Sequence, residues 1–151
     1  MELKVVLLLI TALYCHTDAA PTYEDMTKDA VSSCQKSSGI SDAEAQELEK
    51  TKIVMDESKD SQKCFVACLI SKQNIMTGGK LNVDFLVMVM KISRPENGKK
   101  FDEQEEVKYR KEVGDCNERS GGSKCAAPYN KWKCFVQVSL LMMLANDAKE
   151  N

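Results

Sequence analysis

The stretch Ser61–Gln73, SQKCFVACLISKQ, sets Cys64, Phe65, Cys68 and Leu69 on one stripe of a helix. Cysteines one helical turn apart hold their Cβ atoms about 5–6 Å apart. A disulfide needs about 3.8 Å. Cys64 and Cys68 therefore point from one face toward two different partners, and this helix becomes the hub of a covalent framework. The partners come from Cys34, Cys116, Cys125 and Cys134, so the order is C-x29-C-x3-C-x47-C-x8-C-x8-C. Six cysteines allow fifteen pairings; removing Cys64–Cys68 leaves twelve.

The oxidising compartment that such a frame needs is written in the first residues. Lys4 supplies a positive charge, Val5–Tyr14 is a largely apolar run of about ten residues, and Thr17-Asp18-Ala19 places small residues at −3 and −1 of a cut after Ala19. The run is too short to span a bilayer. Residues 1–19 thus read as a secretory signal peptide and 20–151 as one domain. Removing the signal takes away Cys15, which changes seven cysteines to six, and His16, the sole histidine of the chain. It also takes Lys4, Glu2 and Asp18, which leaves a net charge of −1. That balance argues against nucleic acid or an anionic membrane as partner.

Working outward from the hub, helical spacing recurs on both sides. Thr22 reads as an N-cap for a helix carrying Tyr23, Met26, Ala30 and Cys34, which Gly39 ends. Ser41-Asp42-Ala43-Glu44 is a capping box for a polar helix with Ala45, Leu48, Lys52 and Met55 on its inner face. Thr77-Gly78-Gly79-Lys80 reads as a turn, and strand signals are weak throughout. Asn82 caps a helix whose stripe is Phe85, Met88, Val89 and Ile92. Glu96–Lys100 reads as a loop. A charged helix over about Asp102–Arg119 carries Tyr109, Val113 and Cys116 on one face. After Ser120–Ser123, a last helix starts near Lys124 or Pro128. Its Cys134–Ala145 portion, apolar almost all round, reads as a buried element, and Asn146–Asn151 as a fraying end. The fold class is all-α.

The chemistry available to residues 20–151 is narrow. Without histidine, the commonest general base and the usual near-neutral pH switch are missing. A structural zinc site would use closely spaced ligands; Cys64 and Cys68 qualify, the longer intervals do not. No G-x-S-x-G elbow occurs. We expect no cofactor, no metal and no catalysis. Secreted phospholipases are also helical and disulfide-rich, but they need a His–Asp pair.

The cysteine order, on an exported, helix-rich chain of this length, resembles the insect odorant-binding proteins. The x3 and final x8 intervals are the distinctive features, and the likeness covers about Tyr23 to Leu144. The x47 interval is several residues longer than is usual there; the 94–100 region and the start of the next helix hold the excess. The resemblance implies the pairing Cys34–Cys68, Cys64–Cys125 and Cys116–Cys134. It implies a compact bundle of about six helices around an apolar cavity, stapled by three disulfides. It also implies a secreted carrier for olfactory transport, with a small hydrophobic molecule (odorant or pheromone) as ligand. A membrane receptor would be a further partner, and the carrier itself a monomer or weak homodimer.

Residues suited to lining that cavity are Phe65, Leu69, Met76, Phe85, Met88, Val89, Trp132, Phe135, Val138, Leu141 and Met142. Thioether chains adapt to several ligand shapes. Residues at helical spacing also fill cores, and Trp132 reads equally as a pocket wall or a half-exposed residue. Tyr109 and Tyr129 read first as solvent-facing, with a hydroxyl offered to a ligand oxygen as the second reading. The competing function is a disulfide-rich interaction protein, a receptor ligand or inhibitor, with a filled core and a working loop at Ser93–Lys100.

Overall fold

The computed structural model describes residues 23–93 and 101–150. The signal peptide, the Thr22 cap and the Arg94–Lys100 loop lie outside the described residues. Helix α1 spans Tyr23–Ser38 and α2 spans Asp42–Thr51. Between them, Gly39 adopts φ +69°, a left-handed stop that suits glycine. At Ser41 the box closes in both directions. The Glu44 N–H donates to Ser41 Oγ at 3.3 Å, and the Ser41 N–H donates to the Glu44 carboxylate at 3.1 Å. Lys52 ends α2 in the left-handed region, so Lys52 and Met55 do not continue its inner face, and Met55 is exposed.

Helix α3, Asp60–Lys72, is the centre of the molecule. It packs against α1, α2 and, near the far end of the chain, α6 (Ala126–Glu150). Phe65, Val66, Leu69 and Ile70 are wholly buried, so its apolar residues are covered on several sides. The two cysteines leave it in different directions, Cys68 to Cys34 on α1 and Cys64 to Cys125 before α6. The third bridge, Cys116–Cys134, joins α5 (Glu103–Cys116) to α6. Closing loops of 34, 61 and 18 residues restricts the unfolded chain by about 3–4 kcal/mol per bridge in the chain-entropy account.

The glycine turn is flanked by a minimal hairpin absent from the sequence reading: β1 (Met76–Thr77) pairs antiparallel with β2 (Lys80–Leu81). Gly78 and Gly79 both have positive φ, as a two-residue hairpin turn of matching twist requires. Asn117 completes it. Its side chain accepts from the Leu81 N–H at 2.7 Å and donates to the Leu81 carbonyl at 3.3 Å, in place of a third strand.

Asn82 caps α4, Val83–Ser93, through the Phe85 N–H, and Asp102 caps α5 through the Glu105 N–H. The stripe expected on α4 is the wrong one. Leu86, Val87 and Met90 are buried, whereas Met88, Val89 and Ile92 are exposed, Ile92 at 74%. The helix reads VDFLVMVMKIS, apolar on every side but the one that carries Asp84 and Lys91. Among the described residues, the charge network Lys91–Glu106–Arg110–Asp84 ties it to α5. Helix α6 also departs from expectation. It continues to Glu150, so the polar end is helical, and Leu140, Leu141 and Leu144 are exposed instead of buried. No described helix is long and apolar enough to cross a membrane.

Candidate functional site

The apolar interior is built around α3. Phe65, Leu69 and Met76 are buried together with Val66, Leu81, Leu86, Tyr109, Val113 and Tyr129, and Trp132 lies at the edge of this cluster. Phe135, Val138 and Met142, on α6, are half-buried and pack against it, as do Phe101 and Val136. Of the eleven residues expected to line a cavity, seven therefore meet in or against one cluster: Phe65, Leu69, Met76, Trp132, Phe135, Val138 and Met142. Phe85 is half-buried on α4 outside it. Met88, Val89 and Leu141 face outward, away from any interior site.

The tyrosines overturn the expectation of solvent exposure. Tyr129 is fully buried. Its hydroxyl accepts the Val54 N–H at 2.9 Å and lies 3.5 Å from the Val54 carbonyl. One turn along α6, Trp132 Nε1 donates to the Lys52 carbonyl at 2.7 Å. Lys133, beside it, ion-pairs with Glu57. Residues 129, 132 and 133 share one helix face, and together they hold the strap 52–57 across α6. Burial raises the Tyr129 pKa, and the hydrogen bond to Glu57 raises that of Lys133. Trp132, buried and 5.1 Å from the Phe135 ring, is thus a wall of the cluster, tied to the strap by its indole N–H. Sequence periodicity marks none of this, since the strap contributes mainly backbone atoms.

Tyr109 is also buried, with 1% of its surface exposed. Its hydroxyl meets Ser139 Oγ at 3.3 Å, and its ring meets the Phe101 ring edge-on at 5.9 Å. Burial raises the phenol pKa, so the group is a neutral donor and acceptor. The pair Cys116–Cys134 lies further along the same two helices. Because the partner numbers run in opposite directions, α5 and α6 are antiparallel.

All six described cysteines are oxidised, which leaves no thiolate among them for nucleophilic or metal chemistry. What the arrangement offers is apolar surface with few polar groups, the composition of a site for a hydrophobic small molecule. No curated protein and no solved structure matches the chain. The profile of the PBP/GOBP family matches residues 17–138, a span that holds all three disulfides. The chain belongs to this family, the insect pheromone-binding and general odorant-binding proteins.

Proposed function

We propose that the protein is a secreted, non-catalytic carrier that takes one small hydrophobic molecule between α6 and the buried cluster around α3. The observation that carries the reading is the half-buried collar of Phe135, Val138 and Met142 against that cluster. It leaves apolar surface partly uncovered beside a core locked by disulfides. Covering it with ligand gains roughly 25 cal/mol per Å² before the costs of association are subtracted. Family membership supports a binding role. In this reading Phe135, Val138 and Met142 are the walls, and Phe65, Leu69, Met76 and Trp132 back the site from the core. Delivery to a membrane receptor is the role that such a carrier would serve.

The alternative is an interaction protein that works through its surface. Its support is the exposed apolar face of Met88, Val89 and Ile92 on α4. Titration of the oxidised 20–151 chain with an environment-sensitive apolar dye, then displacement by volatile and long-chain molecules, separates the two. Saturable one-to-one binding with selective displacement supports the carrier. A folded, three-disulfide protein that shows no saturable binding supports the surface reading.

A further inference from the structure

The buried hydroxyl pair on α5 and α6 has more hydrogen-bonding capacity than the described residues use. Tyr109 OH and Ser139 Oγ are 1% and 9% exposed by residue, and each has the other as its one hydrogen-bond partner among the described residues. Two hydroxyls carry two donor protons. A single contact between them uses one. The contact is also long at 3.3 Å, against about 2.7–2.8 Å for a typical O–H···O bond.

The spare proton is not taken up locally. Helical Ser38, Thr51 and Ser71 donate back to carbonyls one turn earlier, at 2.8–3.2 Å. Ser139 does not do so; it turns toward Tyr109. The described surroundings offer no substitute. Phe135 lies one turn before Ser139 on the same face of α6 and Met142 about one turn after it, both half-buried and apolar, and Phe101 closes the Tyr109 side with a ring edge. A donor in such a setting favours an incoming acceptor, because an unpaired buried polar group is costly.

We infer that the Tyr109–Ser139 hydroxyl pair is the polar anchor of the ligand site, and that the preferred ligands are hydrophobic molecules bearing one acceptor oxygen, of the ketone or ester type. The carbonyl oxygen takes the spare proton while the apolar chain lies along Phe135, Val138 and Met142. This rests on the carrier reading above and adds the ligand class to it.

The test compares a straight-chain methyl ketone with the alkane of the same number of heavy atoms, both as displacers of the apolar dye from the oxidised protein. The ketone-to-alkane affinity ratio is about three- to tenfold higher in the native protein than in the double variant Tyr109→Phe/Ser139→Ala, the factor one added hydrogen bond supplies. The variant keeps saturable one-to-one dye binding. Removing both partners leaves no orphaned polar group, so the fold is retained. Ser139→Ala alone gives a second, smaller perturbation of the same ratio. Saturable dye binding with a ketone-to-alkane ratio that is the same within twofold in the native protein and the double variant overturns the anchor and leaves the carrier intact. Absence of saturable binding by either displacer or dye overturns both.

Discussion

Replacing Tyr129 by Phe deletes one oxygen from the strap and leaves the ring in the core. The Val54 N–H, 2.9 Å from that oxygen, then has no partner at a position where Val54 is itself buried. Leaving a buried backbone donor unpaired costs about 1–3 kcal/mol. For a mature chain of this size the unfolding entropy is about 0.28 kcal/mol/K, so a loss of about 2 kcal/mol lowers Tm by about 7 °C. Thermal unfolding of the oxidised protein by circular dichroism measures it. Hydrogen exchange gives the site-resolved version, since the Val54 amide is protected in the native protein and exchanges freely in Tyr129→Phe. The control is Lys133→Met. It breaks the ion pair to Glu57, but both partners are substantially exposed, and such pairs contribute at most about 1 kcal/mol. A Tm drop below about 2 °C for Tyr129→Phe, or an equal drop for Lys133→Met, would refute the claim that buried hydrogen bonds hold the strap.

Four further outcomes follow from the same structure. Leu86→Ala, in the buried face of α4, destabilises by about 2–5 kcal/mol, whereas Ile92→Ser, on the exposed face, stays within about 0.5 kcal/mol; equal effects in urea unfolding would restore the Phe85–Ile92 stripe. Removing Cys64–Cys125, which closes the longest loop, destabilises more than removing Cys116–Cys134, by about 1 kcal/mol in the chain-entropy account; urea midpoints of the paired Cys→Ser variants rank them. Hydrogen bonds from Gln62 and Ser41 lower the Glu44 pKa to about 2, and hydrogen bonds from Ser58 and from Lys91 lower those of Asp56 and Glu106. A depressed folded pKa stabilises above the unfolded value and is lost as pH falls toward the folded one. Stability is therefore flat from pH 7 to 5.5 and declines below about pH 4.5, and Glu44→Gln makes that acid decline shallower. Ligand affinity likewise changes little between pH 7 and 5.5, because no described residue is a histidine; a tenfold loss across that window contradicts it.

The elements that sequence foretold are those with local chemistry. Ser41–Glu44 and Asn82 cap the helices they precede because a side-chain oxygen two or three residues from an N–H needs no tertiary partner; Asp102 does the same for α5 without having been singled out in the sequence. The central helix follows from two cysteines one turn apart, and the three bridges have the pairing that the family resemblance implied. The rotation of α4 was illegible for a physical reason. Asp84 and Lys91 mark one side as polar, but the rest of the circumference is apolar and wider than the core can cover, so contacts and the ion pairs with α5 select Leu86, Val87 and Met90 for burial. The exposed Leu140, Leu141 and Leu144 were misread similarly, since apolar composition alone does not say that a neighbour exists to cover it. Tyr109 and Tyr129 were taken as surface residues because their partners, Ser139 and the Val54 backbone, lie 30 and 75 residues away. Of the buried cluster, Phe65 and Leu69 were legible from spacing on their helix. The strap and the hydroxyl pair were not.

The central claim is that one apolar molecule occupies each protein molecule, and native mass spectrometry of the oxidised 20–151 chain tests it most directly. Incubated with a mixture of medium-chain ketones, esters and alkanes, the protein should carry a single ligand adduct per chain that saturates at one. Disulfide reduction, which releases α3 from α1 and α6, should abolish it. A folded, three-disulfide chain that carries no adduct, or that gathers several without saturation, would contradict the account.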